Sequence, residues 1–373
     1  MERKTIYIMC GSVIGIFLVL LLVIWIMSLT RSHTYDYPEV EAMIVDATEK
    51  YYRDNPIYLP TDDGTYNLAF TALVSDGYIK PLGELIEGGD VCSANITVVK
   101  KNDTFTYIPQ LNCGEKYSTI SLADHIISNN PVVNEGKGLY KDENGEYFFR
   151  GKVENNYVAL GKYTKNKNEL YYLWKIIGIE NGKVKLIAVD DLRYKTVWDN
   201  RYNSTENKYV GYNDFDLSII AEYLKKLESY TEDYLSYEDL AKIEPTNLCV
   251  GPRKYEESIT SGRVECSKLS KEKYLFGTIS PYDYMRASLD PECTVSTSYS
   301  CTNLNYLAES NNGSVWTVIP SIESNFEVFS FNDAYFEINS AKSNKKVIPV
   351  IYLNEYTFFK SGIGTLEDPY MIK

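Results

Sequence analysis

Histidine is almost absent from this sequence: His33 and His125 are the only two among 373 residues. A zinc-protease HExxH motif needs two histidines four residues apart, so it cannot occur here. A Ser/His/Asp site is not expected either, because His33 follows the N-terminal apolar segment and His125 lies in a connecting segment. The sequence also lacks a P-loop, a dinucleotide-binding glycine fingerprint and a GxSxG elbow. No common catalytic motif is therefore present.

Metal-binding patterns are missing as well. There is no CxxC pair, and two histidines cannot complete a usual zinc site. The acidic string Asp142–Glu146 lacks the remaining ligands and the distal glutamate of a calcium loop. We therefore predict no metal and no cofactor.

Carboxylates are abundant, but none can be assigned to catalysis. A glycosidase needs two carboxyl groups about 5–10 Å apart across a cleft, which a sequence cannot show. We interpret these acids as solvated or capping groups: Asp190, Asp191, Asp214, Asp216, Glu256 and Glu257. Core packing is favoured for Trp174 and Trp316. Trp198 lies among polar residues, so a sugar-binding platform is an equal alternative.

The one long apolar run is Ile6–Leu29, which contains no charge. At about 1.5 Å per residue it is long enough to cross a bilayer core of about 30 Å. It is too long for a usual signal peptide, and no small-residue cleavage site follows it. Arg3 and Lys4 precede it, so residues 1–5 are predicted to be cytoplasmic and the rest extracellular. We predict a single-pass plasma-membrane anchor at 6–29.

The chain is acidic, with a formal net charge of −13. Glu2, Arg3 and Lys4 leave residues 1–30 at +1, so the predicted extracellular part carries −14. Such a charge disfavours nucleic acid and anionic lipid as partners. The 34 tyrosines fit half-buried sheet positions, or alternatively a tyrosine-rich recognition surface.

Six cysteines follow the apolar run, and an even number in an oxidising compartment indicates disulfides. Six cysteines allow 15 connectivities. We predict sequential pairing, because each pair then encloses one local, polar segment: Cys92–Cys113, Cys249–Cys266 and Cys293–Cys301.

Residues 36–120 read as a small α+β domain. One apolar helix face after Pro38 is formed by Val40, Met43, Ile44, Ala47 and Tyr51. A short helix is predicted near 68–74, and strands at about 91–100 and 104–111.

The order of these motifs resembles the pilin-like surface proteins of low-GC Gram-positive bacteria. The resemblance rests on the apolar N-terminal segment, Tyr51-Tyr52, Leu59-Pro60, Leu73–Ile79 and the Cys92 to Cys113 stretch. It implies a small disulfide-bonded head on a hydrophobic helix. The prepilin-peptidase signature and the glutamate within the span are absent, which favours an anchored relative over a pilus subunit.

After a connector at 121–134, residues 135–373 are predicted to form a larger, antiparallel-β-rich α+β domain. Its centre is a hairpin around Asn181-Gly182, in which Glu180 pairs with Lys183 and Ile179 with Val184. Continued outward, this register pairs Ile177 with Leu186. Helices are predicted from Leu217 to Leu227 and from Ser280 to about Leu289, the second with serine as N-cap and proline next.

The domain predicted for residues 135–373 is similar to a C-terminal module of many bacterial surface proteins of uncharacterised function. The motifs that carry this resemblance are Leu173–Ile179, Tyr284–Leu289, Val347–Leu353 and Ser361–Thr365. It implies a surface location and a fold akin to the C-type-lectin or sulfatase-modifying-factor group. It supplies no catalytic residues.

The sequence therefore predicts a non-catalytic, membrane-anchored extracellular protein with a binding, adhesion or surface-structure role. A surface glycan or protein is the expected ligand. One alternative is a surface hydrolase, which should show a pocket with convergent, strongly shifted carboxylates. Another is an extracellular sensor or a pilus-like assembly subunit. A binding module should instead show an exposed aromatic patch or a shallow groove.

Overall fold

The computed structural model describes residues 34–101, 104–165, 168–189, 195–230, 235–309, 313–332 and 334–373. The predicted anchor at Ile6–Leu29 lies outside these residues. Within them, no helix combines the length and the apolar character that crossing a membrane requires. The chain divides into two compact units, one ending at Thr119 and the other beginning at Ile120.

The first unit packs a long helix on a three-stranded antiparallel sheet. Asp36 caps helix α1 in a capping box with Glu39, and Pro38 lies in the first turn. The predicted apolar face is buried except for Met43, which is partly buried against the same core. The elements are α1 (Tyr37–Asp54), β1 (Gly64–Ala69), α2 (Phe70–Ser75), α3 (Leu82–Leu85), β2 (Ser93–Lys101) and β3 (Thr104–Asn112).

One element of the first unit differs from its prediction. The segment 68–74 was predicted as a short helix, but Leu68 and Ala69 end strand β1 and the helix starts at Phe70. Leu68 pairs with Ile96 in β2, so the hydrogen bonds of the sheet edge outweigh the helical tendency of this apolar stretch.

The second unit contains an eight-stranded sheet, a five-stranded sheet and two short two-stranded ones. The larger sheet has the order β18-β8-β7-β6-β20-β19, with β5 also pairing β7 and β4 pairing β5. Its strands are β4 (Gly138–Lys141), β5 (Tyr147–Arg150), β6 (Tyr157–Lys165), β7 (Asn168–Glu180), β8 (Lys183–Ala188), β18 (Val350–Leu353), β19 (Phe359–Ser361) and β20 (Tyr370–Ile372).

The five-stranded sheet has the order β16-β15-β14-β17-β9. Its strands are β9 (Lys195–Val197), β14 (Val315–Pro320), β15 (Glu327–Phe331), β16 (Phe336–Ser340) and β17 (Asn344–Lys346). The two short sheets pair β10 (Tyr202–Asn203) with β11 (Lys208–Tyr209) and β12 (Thr246–Cys249) with β13 (Leu269–Tyr274).

Four helices of the second unit complete its described part: α4 (Leu122–Asn129), α5 (Ile219–Tyr230), α6 (Tyr237–Ala241) and α7 (Pro281–Ala287). Leu122 and Ile126 of α4 are buried in this unit's core, so the segment predicted as a connector is packed structure here. Leu217 does not join the apolar face of α5; it lies before the helix and is exposed. The chain is thus a mixed α+β protein rich in antiparallel strands.

The central hairpin has the predicted turn but a different outer register. Glu180 pairs with Lys183 and Ile179 with Val184, as predicted. Beyond them the register shifts between Gly178 and Ile176, and Ile176 pairs with Leu186. The predicted pairing of Ile177 with Leu186 is therefore wrong, because a β-bulge inserts one extra residue into β7.

The structure contains three disulfides, and they join the predicted pairs: Cys92–Cys113, Cys249–Cys266 and Cys293–Cys301. Such bonds persist in oxidising compartments, so they are typical of an extracellular or secreted protein.

These bonds set an expected thiol count. The chain has seven cysteines, and the three disulfides use six. Alkylation of the purified chain, unfolded without reductant, should therefore label one thiol, at Cys10, and seven after reduction. Intact-mass measurement gives both counts. Three or more labelled thiols before reduction would contradict the pairing.

Candidate functional site

A cavity of about 240 Å³ lies in the second unit, beside the central hairpin. Its apolar lining comes from Leu248, Leu275, Val318, Ile319 and Val350. Its polar lining includes charged and hydroxyl groups that converge from four separate elements: Glu180, Lys185, Tyr282, Asp283 and Tyr352. Apolar lining with a few convergent polar groups is the usual composition of a small-molecule site.

The sheet places three of these polar residues side by side. Lys185 lies in β8 and is paired directly with Tyr352 of β18. Its partner on the other side is Gly178 of β7, two residues before Glu180. Residues of neighbouring strands that face each other have side chains about 5 Å apart, so the register itself brings the ammonium, the phenol and the carboxylate together.

Helix α7 supplies the other two. Ser280 caps this helix, as predicted, and Pro281 occupies its first turn. Asp283 follows three residues after the cap, and its carboxylate accepts a hydrogen bond from the Ser280 hydroxyl at 2.6 Å. Carboxylates are stabilised in the first turn of a helix, so this local sequence alone fixes the position of Asp283.

The charged groups form a closed network. Lys185 Nζ lies 2.9 Å from Asp283 Oδ2 and 3.3 Å from Glu180 Oε1. Arg286 Nη2 lies 3.2 Å from Asp283 Oδ1 and 3.3 Å from the same glutamate oxygen. Arg286 Nη1 also lies 3.9 Å from Glu146 Oε2, so two cations face three carboxylates.

Burial and pairing act against each other on the pKa values of this network. Burial opposes the charged form of Lys185, but Asp283 and Glu180 raise the pKa of its ammonium well above the usual value. Burial also opposes the charged form of Asp283, yet Lys185 and Arg286 hold its pKa below the usual value. Lys185 and Asp283 are therefore kept ionised.

Two phenol hydroxyls complete the polar side of the cavity. Tyr282 Oη accepts a hydrogen bond from Lys185 Nζ at 3.0 Å, and Tyr352 Oη donates one to Glu180 Oε2 at 2.9 Å. Burial raises the pKa of both phenols, so both stay protonated. The Tyr282 hydroxyl can therefore still donate a hydrogen bond to another group, whereas the Tyr352 hydroxyl can still accept one.

Arg286, which pairs with Asp283 of this cavity, lines a second cavity of about 610 Å³. Its guanidinium lies between the rings of Phe148 and Tyr282, with centroid distances of 4.9 and 5.1 Å. A Cβ atom at Gly178 would lie 3.1 Å from Arg286 Nη2, so glycine allows this close approach. Arg286 Nε is buried without a hydrogen-bond partner in the described part of the chain.

The other candidate residues of the sequence are placed elsewhere. Trp174, Trp198 and Trp316 are buried in the core, so Trp198 provides no sugar platform. The six cysteines form the disulfides described above, of which only Cys249 lines the first cavity and only Cys293 the second. His125 stacks on Phe359 in the second unit.

The acidic candidates do not converge. Asp214 lies 3.6 Å from Lys268, Asp216 accepts the Lys271 backbone N–H, and Glu257 accepts that of Ile259. Glu256 is exposed. Asp190 and Asp191 lie outside the described residues, as does His33. No group of three or more potential metal ligands occurs in the described ranges.

The network residues were missed by the sequence analysis, although one signal was present. Lys185 interrupts the apolar run Val184–Ile187 in the hairpin that was predicted to be the centre of this domain. A charged residue there must find a buried partner. The spacing of Asp283 and Arg286 on a short helix offered that partner, but nothing in the sequence linked the two segments.

With the site described, the chain can be compared with known proteins. It matches no protein-family model, no curated protein and no solved structure. The function must therefore be argued from the site itself.

Proposed function

We propose that the chain is a non-catalytic, single-pass membrane protein whose extracellular second unit binds a small polar ligand. The observation that carries this proposal is the cavity beside the central hairpin, with its apolar lining and its mutually paired charged groups. The three disulfides support an extracellular location, and Ile6–Leu29 would provide the anchor. The pilin-like and lectin-like resemblances agree with a surface role and remain part of this proposal.

The electrostatics of the cavity favour binding over hydrolysis. A general acid needs a carboxyl whose pKa is raised towards the working pH. The pKa of Asp283 is shifted the other way, and Glu180 accepts hydrogen bonds on both oxygens. The nearby Glu146 does have a raised pKa, caused by burial and by Glu180, but it does not line this cavity.

The experiment is a glycan and peptide array probed with the full chain in detergent. We expect binding to a restricted set of surface glycans. The Thr246→Trp variant should weaken that binding at least tenfold, because Thr246 lines the cavity and an indole would fill part of its volume. Tyr237→Trp is the matched control, since Tyr237 is 85% exposed and does not line the cavity.

Turnover of an arrayed glycan or peptide by the wild-type chain, lost in Glu146→Gln, would instead favour the surface hydrolase. A chain that binds nothing on either array would contradict the proposed function. Concentration-dependent self-assembly into filaments would favour the pilus-like subunit.

A further inference from the structure

The hydrogen-bonding capacity that the lining residues do not use among themselves defines a ligand more closely than the shape of the cavity does. Each charged side chain that lines the cavity already has an oppositely charged partner: Lys185 pairs with Glu180 and Asp283, and Lys183 pairs with Glu244 at 3.7 Å. A charged ligand would either break these ion pairs or bring a charge into the cavity that has no partner there, and both cost free energy. The ligand should therefore be neutral where it meets these groups.

The two phenols present complementary capacities. Tyr282 already accepts the Lys185 bond, so it can still donate its proton to a ligand oxygen. Tyr352 already donates to Glu180, so it can still accept a proton from a ligand N–H or O–H. Tyr282 bonds to Lys185 and Tyr352 to Glu180, and these two partners lie 3.3 Å apart, so one donor and one acceptor are offered close together.

A secondary amide satisfies both phenols with one planar group: its carbonyl accepts from Tyr282 and its N–H donates to Tyr352. Its methyl or methylene substituent would then contact the apolar lining, formed in part by Leu248, Leu275 and Val318. The volume of about 240 Å³ lies below the range of about 300–1,000 Å³ that is typical of drug-sized ligands. A small acetamido group with part of its parent molecule fits these limits.

The remaining lining favours a sugar as that parent molecule. Asn181 and Asn247 line the same cavity and are exposed at its surface, and Thr246 adds a half-buried hydroxyl. The Asn247 amide nitrogen donates to backbone carbonyls, which leaves its oxygen as an acceptor. Amide and hydroxyl groups at a pocket opening are suited to the hydroxyls of a sugar ring.

We propose, on the basis of the proposed binding function, that this cavity is a subsite for the acetamido group of an N-acetylated amino sugar. Tyr282 would donate to the carbonyl oxygen of that group, and Tyr352 would accept its N–H. Both phenols position the ligand, and no covalent step is involved.

The test is saturation-transfer NMR and calorimetry on the full chain in detergent, with N-acetylglucosamine as the probe and glucosamine and glucose as comparisons. The acetyl methyl should receive the strongest saturation, because it contacts the apolar lining. Both comparison sugars should bind at least tenfold more weakly, since each lacks the amide. Tyr282→Phe and Tyr352→Phe should each weaken N-acetylglucosamine binding roughly three- to tenfold, the effect of one neutral hydrogen bond.

Tyr237→Phe is the control, because Tyr237 is highly exposed and does not line the cavity. Thermal unfolding of each variant shows whether a loss of binding reflects a loss of folding; a folded Tyr352→Phe keeps the test informative if Tyr282→Phe does not fold. Equal binding of glucose, or binding that is unchanged in both phenol variants, would overturn the proposal while leaving a binding function intact. Binding of an N-acetylated dipeptide amide without binding of the sugar would overturn the sugar assignment. Failure to bind any arrayed glycan or peptide would instead remove the binding function itself.

Discussion

Asp283→Ala should be among the most destabilising single substitutions in the second unit, at about 3–5 kcal/mol. Asp283 is fully buried and binds both Lys185 and Arg286. Its removal leaves the buried cations Lys185 and Arg286 with Glu180 and, for Arg286, Glu146 at 3.9 Å as their close anions. Breaking a buried pair on one side costs more than the pair itself contributes, because the orphaned charge stays desolvated.

Urea denaturation of the full chain, followed by tryptophan fluorescence, measures this cost. Three of the four tryptophans lie buried in the second unit, so the signal reports largely on its unfolding. Glu244→Ala is the control, because Glu244 pairs with Lys183 at 3.7 Å near the surface, where such pairs contribute about 0–1 kcal/mol. A cost below about 1 kcal/mol for Asp283→Ala would show that the network is not ionised in the folded chain.

Asp283 also makes the stability of the second unit depend on pH, in a direction that follows from its pKa. The pKa of Asp283 is lower in the folded chain than its unfolded value of about 3.9. Its contribution is therefore present above that value and is lost as the pH falls through the lower folded pKa. Asp283→Asn should reduce the loss of stability of the second unit below about pH 4 relative to the wild type.

Local patterns predicted local structure in this chain. The turn at Asn181-Gly182, the cap at Ser280 and the three disulfides each depend on residues close in sequence, and each appears as predicted. The prediction of the outer register of the hairpin was wrong because a bulge at Ile177 depends on packing on both faces of the sheet. A turn motif carries no information about that packing.

The candidate site could not be predicted for the same reason. Lys185 and Asp283 are 98 positions apart, and Tyr352 follows a further 69 positions on. The pairing of β18 with β8 brings Tyr352 beside Lys185, and helix α7 brings Asp283 to the same lysine. A lysine within an apolar strand needs a partner once it is buried, but the identity of that partner is a property of the tertiary fold.

Breaking a second buried ion pair, Arg253 with Glu265, should destabilise the fold by a similar amount, and this loss of stability should depend on pH in the opposite direction. Arg253 Nη1 lies 2.6 Å from Glu265 Oε1, and both side chains are fully buried. The guanidinium also donates to the carbonyls of Glu257 and Ile259, so it holds the loop closed by the Cys249–Cys266 disulfide. Arg253→Met should therefore cost about 3–5 kcal/mol, since it leaves the carboxylate and both carbonyls unpaired.

Burial raises the pKa of Glu265 even though Arg253 opposes that shift. Without Arg253 the folded pKa should rise further above the unfolded value of about 4.3. A raised carboxyl pKa favours the folded state most at pH values below the unfolded pKa, and this contribution is lost as the pH rises through the folded pKa. Arg253→Met should consequently be more stable, relative to the wild type, at pH 5 than at pH 7, as urea midpoints would show. Arg253→Met combined with Glu265→Leu should recover much of the cost, because no buried charge then remains; a double variant less stable than Arg253→Met alone would contradict this account.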